Sequence, residues 1–246
     1  MRQILFSIFI VIIWMVLGAC SPSSAELELE EHPLADPPEP ETLSFTPLQG
    51  TQGEILALHE QDRAMVYSED VIWEQGNPAI ASFGEDRNLL AVLETSEQGQ
   101  PEQTAKLLRE DTIIFETPAG LPSPAMPLQG LWAYDGHWAL EILFADPNTW
   151  AGQVFIDGEL VNELQGYDEA FGFQLLAGKP FFFYNRDGKL GYSYDGQETA
   201  LDYDEIPHYR CCSESSLNPI RAQNMVAFFA VKDGTWSYVE LGDFSE

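Results

Sequence analysis

The chain has 246 residues, with 40 acidic against 11 basic side chains and a formal net charge of −29. A surface this negative repels the phosphates of nucleic acids and the headgroups of anionic lipids, which excludes a nucleic-acid-binding protein. A cationic partner or a metal ion stays compatible with the charge, as does a simple role in solubility.

The first 19 residues have the order of a secretory signal peptide. Arg2 supplies a positive start, residues 4–17 form a largely apolar run of 14 residues, and small residues follow. A transmembrane helix needs about 20 apolar residues, so this run is too short for a permanent span. We therefore predict a signal peptide over residues 1–19 that directs export.

The signal peptide ends at Leu17-Gly18-Ala19-Cys20, which resembles the lipobox of bacterial lipoproteins. The resemblance implies cleavage before Cys20, a diacylglycerol thioether on its sulfur and a further acyl chain, such as palmitate, on its amino group. More than one acyl chain anchors a protein stably to a membrane. The resemblance therefore implies a lipoprotein anchored in the bacterial cell envelope and facing away from the cytoplasm. A secreted protein with a chance cysteine at the cleavage site is the alternative.

Residues 20–41 have the composition of a spacer between the lipid and a folded domain. They are rich in proline, serine and acidic residues, and they hold few apolar side chains. Such a segment cannot bury a core, and its like charges repel, so we predict an extended tether. Residues 26–30 alternate Glu and Leu with the period of a β-strand, which predicts that this part can pair with a sheet edge.

Residues 42–246 are enough for one domain with a hydrophobic core. Short runs of β-branched and aromatic residues between turns predict an all-β domain, and only residues 103–110 are compatible with a helix. An Asp-Gly pair favours a hairpin turn because both residues tolerate positive φ. Such pairs begin at Asp135, Asp157, Asp187, Asp195 and Asp233.

The predicted strands recur at regular intervals. In chain order they are residues 55–58, 64–68, 71–74, 79–83, 89–93, 103–108, 112–116, 130–134, 138–144, 152–156, 159–164, 170–175, 181–184, 190–194, 198–203, 225–231 and 235–241. Repeat units begin near residues 53, 88, 137, 179 and 224, at spacings of 35, 49, 42 and 45 residues.

This spacing resembles that of a β-propeller, whose four-stranded blades repeat about every 40–45 residues. We predict a small propeller of about five blades over residues 42–246, with apolar inner strands packing blade on blade. The last unit lacks a strand, so closing the ring requires one from the N-terminal side. A β-sandwich or an open antiparallel meander is the alternative, because any all-β chain has turns at regular intervals.

Reactive side chains are concentrated in one loop after residue 201. If Cys20 carries lipid, only the adjacent Cys211 and Cys212 remain, which excludes a conventional disulfide scaffold. In an oxidising envelope they favour a vicinal disulfide, whose small ring strains the backbone and stiffens the loop. The other candidate residues of this functional loop are Asp202, Asp204, His208, Tyr209 and Arg210.

Other interpretations of this loop stay open. Asp204, His208 and the two cysteines have suitable types for a zinc site, although adjacent cysteines rarely both reach one ion in tetrahedral geometry. A cysteine–histidine nucleophile pair needs a third residue to orient it, and oxidation would silence it. Two idle thiols are the remaining alternative. We predict no resident metal and no cofactor.

The lack of catalytic motifs favours a binding protein over an enzyme. The sequence contains no glycine-rich nucleotide-binding motif, no His-Glu-x-x-His and no Gly-x-Ser-x-Gly. We predict an envelope-anchored module that binds a protein, peptide or glycan. A carbohydrate hydrolase with two convergent carboxylates is one alternative, and a redox role for the cysteine pair is another. The acids at strand ends that would serve a hydrolase are Glu54, Asp86, Asp135 and Asp202.

Overall fold

The computed structural model describes residues 27–38, 48, 50–52, 71–74, 77–84, 88–96, 101–209 and 218–244. The described strands are β1 (Glu28–Pro33), β2 (Val71–Glu74), β3 (Asn77–Ala81), β4 (Phe83–Gly84), β5 (Leu89–Thr95), β6 (Gln103–Arg109), β7 (Thr112–Gly120), β8 (Leu128–Tyr134), β9 (His137–Ala145), β10 (Trp150–Ile156), β11 (Glu159–Leu160), β12 (Glu169–Leu176), β13 (Lys179–Arg186), β14 (Lys189–Tyr194), β15 (Gln197–Ala200), β16 (Ile220–Arg221), β17 (Met225–Lys232) and β18 (Thr235–Gly242). One short helix, α1 (Val161–Gln165), follows β11. Within these ranges, no helix has the length and apolar character needed to cross a membrane.

The strands form three sheets. A ten-stranded sheet has the order β11-β10-β9-β7-β6-β5-β3-β2, with β8 paired to β9 and to β4. Two four-stranded sheets have the orders β12-β13-β14-β15 and β1-β18-β17-β16. The pairing is largely antiparallel, and none of the sheets closes on itself over the described part of the chain. The predicted all-β class is therefore confirmed.

All five Asp-Gly pairs form the hairpin turns that the sequence predicts. In each pair both residues have positive φ, as at Asp135 (46°) and Gly136 (80°). Two consecutive positive φ angles define the turn whose twist matches that of paired antiparallel strands. These turns join β8 to β9, β10 to β11, β13 to β14, β14 to β15 and β17 to β18.

The strand predictions fail at residues 159–164. Residues 159–164 were expected as one strand, but β11 ends at Leu160 and α1 follows. Asn162 donates through Nδ2 to the Gly152 carbonyl at 2.9 Å, and Gly166 ends the helix with φ of 71°. The predicted strand at 103–108 is confirmed as β6, and the helical alternative for residues 103–110 is wrong, because pairing with β5 and β7 on both sides overrides weak local propensity. The predicted strands at 55–58 and 64–68 lie outside the described residues.

The alternating Glu/Leu stretch forms a strand, as its period predicts. β1 pairs antiparallel with β18, from Glu28 opposite Gly242 to Pro33 opposite Ser237. Leu27, just before it, is only 7% exposed and joins the core. The segment that composition assigns to a tether, residues 20–41, thus contains a strand that belongs to the last sheet.

Hydrophobic clusters hold the sheets together. Leu107 belongs to a cluster within the ten-stranded sheet. Trp132 of β8 packs against Phe173 of β12, which joins that sheet to the β12–β15 sheet. Phe183 and Phe228, with ring centroids 5.0 Å apart, join the β12–β15 sheet to β17. Each buried side chain of this size contributes about 1.5–3 kcal/mol, so these contacts fix the sheets around the loop that follows β15.

Candidate functional site

A groove of about 820 Å³ lies beside the loop that follows β15. Its walls come from the β9–β10 connection, from β12 and β13, and from residues 204–209. The residues of the groove that matter below are Asp146, Trp150, Glu169, Asn185, Asp204, His208 and Tyr209. Three distant parts of the sequence therefore meet at this groove.

The structure brings together three of the predicted loop residues. Asp204, His208 and Tyr209 all line the groove. Asp202 is not in its lining: its side chain is 92% exposed and pairs with Lys232. Arg210, Cys211, Cys212 and the lipidation residue Cys20 lie outside the described residues. The vicinal disulfide, the alternative zinc site and the lipid anchor therefore stay predictions.

His208 is held in a fixed orientation on three sides. Its ring stacks on Phe171, with centroids 3.5 Å apart and planes 3° from parallel. Nδ1 lies 2.5 Å from the Ile206 carbonyl oxygen, and Nε2 lies 3.1 Å from Oε1 of Glu169. A carbonyl oxygen only accepts, so the contact with Ile206 is a hydrogen bond donated by Nδ1. Glu169 is itself fixed, because it accepts a hydrogen bond from Gly152 N at 2.9 Å.

Glu141 of β9 is a fully buried carboxylate beneath this groove. It accepts from the backbone N–H groups of Gly172 and Phe173, both at 2.8 Å, and from the hydroxyl of Tyr209. Arg221 of β16 completes the set, with its guanidinium 3.0 Å from Oε2 of Glu141. A buried charge is tolerated when it is paired and fully hydrogen-bonded, and this carboxylate is both.

A bulge in β12 creates two of these hydrogen bonds. The register with β13 shifts between Phe171 and Gln174, and Gly172 has φ of 67°. A bulge of this kind turns the N–H groups out of the ladder, here toward Glu141. A Cβ at Gly172 would lie 3.1 Å from both Phe183 and Pro219, so the positive φ and this tight space together favour glycine.

Tyr209 connects the functional loop to this buried network. Burial raises the pKa of its hydroxyl well above its ordinary value, and the negative charge of Glu141 acts in the same direction. The hydroxyl therefore stays protonated and donates to Glu141. Sequence reasoning found Tyr209 but missed its partners Glu141, Glu169 and Arg221. The available signal was Glu141 itself, an acid in the middle of an apolar strand.

The lining combines a hydrogen-bonding acceptor with an aromatic face. Oδ1 of Asn185 is buried and makes no hydrogen bond with any of the described residues. Buried polar atoms are nearly always satisfied by protein, water or ligand, so this oxygen favours a bound donor. Trp150 is 38% exposed at the start of β10, where its ring offers a surface for stacking.

The charges of the groove restrict its ligands. Asp146, Glu169, Asp204 and Glu205 line it, against the single imidazole of His208. An anionic ligand is therefore disfavoured, whereas neutral and cationic ligands are compatible. Of the acids proposed for a hydrolase, Glu54 and Asp86 lie outside the described residues, and neither Asp135 nor Asp202 lines the groove. The sequence matches no protein-family model and no curated protein.

Asp146 is expected to titrate below the ordinary range of an aspartate. Its carboxylate accepts from Asn148 N at 2.6 Å, Thr149 N at 2.8 Å and the Thr149 hydroxyl at 3.0 Å, and these bonds lower its pKa. Because the pKa of Asp146 is lower in the folded than in the unfolded protein, these bonds stabilise the fold at pH values above the unfolded pKa. This stability is lost as the pH falls through the folded pKa. Carboxyl ¹³C NMR titration of the protein measures this directly. Asp146→Asn identifies the resonance, and a pKa at or above the ordinary aspartate value would contradict the turn geometry.

Proposed function

We propose that this chain is a lipid-anchored binding protein of the bacterial cell envelope, and that its groove takes a neutral or cationic polar ligand, best a glycan. The observation that carries the proposal is the lining of the groove. It combines an exposed aromatic face at Trp150, a buried acceptor without a partner at Asn185, and carboxylates at Glu169 and Asp204. Sugar rings present apolar faces for stacking and hydroxyls for hydrogen bonds, and this lining complements both.

The proposed address is supported by the N-terminal sequence. A signal peptide over residues 1–19 and a lipid on Cys20 would export the chain and hold it at the membrane. The net charge of −29 would keep the folded domain away from anionic lipid headgroups. The groove would then face the envelope space in which glycans and peptides are exposed.

The proposed architecture is a small β-propeller of about five blades. Support comes from strand groups of the right size: β8 to β11 and β12 to β15 are consecutive antiparallel sets of four. The last set, β16 to β18, gains its fourth strand from β1. A propeller of this sequence needs a strand from the N-terminal side to complete its last blade, and β1 is such a strand. Loops between blades, such as the one that follows β15, would then form the rim at which ligands bind.

Oligosaccharide binding by the mature protein tests the proposed function. We expect binding to neutral or amino-sugar oligosaccharides on a glycan array, with affinities then measured by isothermal titration calorimetry. Trp150→Ala removes the stacking face and should weaken binding by about 3- to 10-fold, which corresponds to the ~0.5–1.5 kcal/mol of an aromatic contact.

The control is Ile113→Ala, which truncates an apolar side chain that is 51% exposed on β7 and is not part of the groove lining. It should bind as the parent does. An array without bound oligosaccharides, or equal affinities for the parent and Trp150→Ala, would overturn the assignment of a glycan to this groove.

A further inference from the structure

Three side chains of potential metal ligands meet on one face of the β1–β18 pair. Glu30 and His32 lie two residues apart on β1, so they point to the same face of the strand. Glu240 of β18 lies directly opposite Glu30 in the antiparallel register. One ligand atom from each residue lies within 4.8 Å of the other two. We propose that Glu30, His32 and Glu240 form a site for a divalent transition-metal ion, of which zinc fits best.

The two carboxylates present an electrostatic cost that a cation would offset. Glu240 is fully buried, and Glu30 is half-buried directly across from it. Like charges at directly opposed positions destabilise a strand pair, and burial of one of them increases the repulsion. A divalent ion between the carboxylates converts this repulsion into two attractive contacts. Tyr238 donates to Oε1 of Glu240 at 2.7 Å and so orients the carboxylate, as outer partners of metal ligands do.

His32 supplies the independent observation that points to a ligand. Its Nε2 is buried and has no hydrogen-bond partner among the residues that the structure describes. Oε2 of Glu30 lies 3.9 Å from this nitrogen, which is beyond hydrogen-bond distance. A buried imidazole nitrogen without a partner is costly. A neutral imidazole that binds a metal through Nε2 removes this cost.

The ligand set selects the class of metal. One imidazole nitrogen and two carboxylate oxygens match zinc and similar first-row ions, whereas calcium prefers oxygen ligands alone. Ligand distances of about 2.1 Å in a tetrahedral site place ligand atoms about 3.4 Å apart. The 3.9 Å separation between His32 Nε2 and Glu30 Oε2 therefore needs to contract only slightly. Three protein ligands leave a fourth position for water or for a group from a partner.

Such an ion would connect the two ends of the folded domain. β1 is the first described strand and begins eight residues after Cys20, and β18 is the last described strand. Backbone pairing already joins β1 to β18 along all six of its residues. A metal bridge between their side chains would make β1 harder to detach, which matters if force or proteases act on the tether.

Zinc binding to the metal-free mature chain tests the site. We expect isothermal titration calorimetry to show one zinc ion per chain, thermal unfolding to shift upward with zinc, and calcium to have no such effect. Cobalt(II) in place of zinc should give the visible absorption bands of a low-symmetry site. His32→Gln should weaken zinc binding on the order of 100-fold or more, since it removes a direct ligand.

Glu30→Gln provides a second variant. Glu30 is half-exposed, so its replacement should leave folding intact, whereas replacement of the buried Glu240 could prevent folding. Glu30→Gln should weaken zinc binding too, with an unchanged circular dichroism spectrum.

His137→Gln is the matched control, since His137 contacts a single carboxylate, Asp157 at 2.5 Å. His208→Gln and a variant with both Cys211 and Cys212 changed to serine test the competing site in the functional loop. Zinc binding that persists in His32→Gln, or that is lost with the loop variants instead, would overturn the proposal.

Discussion

Replacing Glu141 by alanine should lower the free energy of unfolding by about 3–5 kcal/mol, the cost of removing one partner from a buried ion pair. The substitution leaves Arg221 without its buried counter-charge and removes the acceptor for the N–H groups of Gly172 and Phe173. It also releases the hydroxyl of Tyr209, which anchors the functional loop. Four groups thus each lose one contact through one substitution.

Urea denaturation followed by tryptophan fluorescence measures this loss. Glu116→Ala is the matched control, because it removes an exposed acid whose nearest cation, Lys106, lies 3.9 Å away, and such pairs contribute about 0–1 kcal/mol. Glu141→Gln should give an intermediate loss, since its amide oxygen still accepts but the charge opposite Arg221 is gone. A loss below about 1 kcal/mol for Glu141→Ala would show that the buried network is not a source of stability.

Local chemistry determined which parts of the fold could be predicted. The Asp-Gly turns were predictable because positive φ at both residues is a property of those residue types, whatever surrounds them. The strands that they join followed from the short runs of β-branched and aromatic residues between the turns. The helix α1 was missed because its local sequence is ambiguous, and the side chain of Asn162 decided the structure through its contacts with β10. In β6, which was predicted as a strand, pairing on both edges excluded the helical alternative.

Of the candidate site, only the residues that lie close together in the sequence could be predicted. Asp204 and His208 stood out because they lie in one short loop with other reactive residues. Glu169 and Arg221 come from β12 and β16, and only the three-dimensional arrangement of the sheets brings them to this loop. Glu141 and Glu240 share a signal that sequence reasoning did not use, which is a single acid flanked on both sides by apolar residues within a strand. Both are fully buried, and each marks a place where the fold must supply compensating charge.

Trp132→Ala should cost about 3–5 kcal/mol of unfolding free energy, since it empties a fully buried site between two sheets. The ring packs against Phe173, with centroids 4.9 Å apart, and the guanidinium of Arg221 lies 5.7 Å from its centroid. The same side chain therefore packs the β8–β12 contact and covers the cation of the buried ion pair. Trp132→Phe should recover part of the loss, because a smaller ring keeps the contact with Phe173.

Gly130 provides the partner for a double-mutant cycle. A Cβ at this position would lie 2.0 Å from Cη2 of Trp132, which shows that the indole lies directly over the glycine. Gly130→Ala alone should therefore cost about 1–3 kcal/mol through overpacking. In the Trp132→Ala background the same methyl enters vacated space, so its cost should vanish or turn into a small gain. The double variant should then be about 1–3 kcal/mol more stable than the sum of the two single losses predicts. If the two single losses add to within ~0.5 kcal/mol of the loss in the double variant, the packing described above is contradicted.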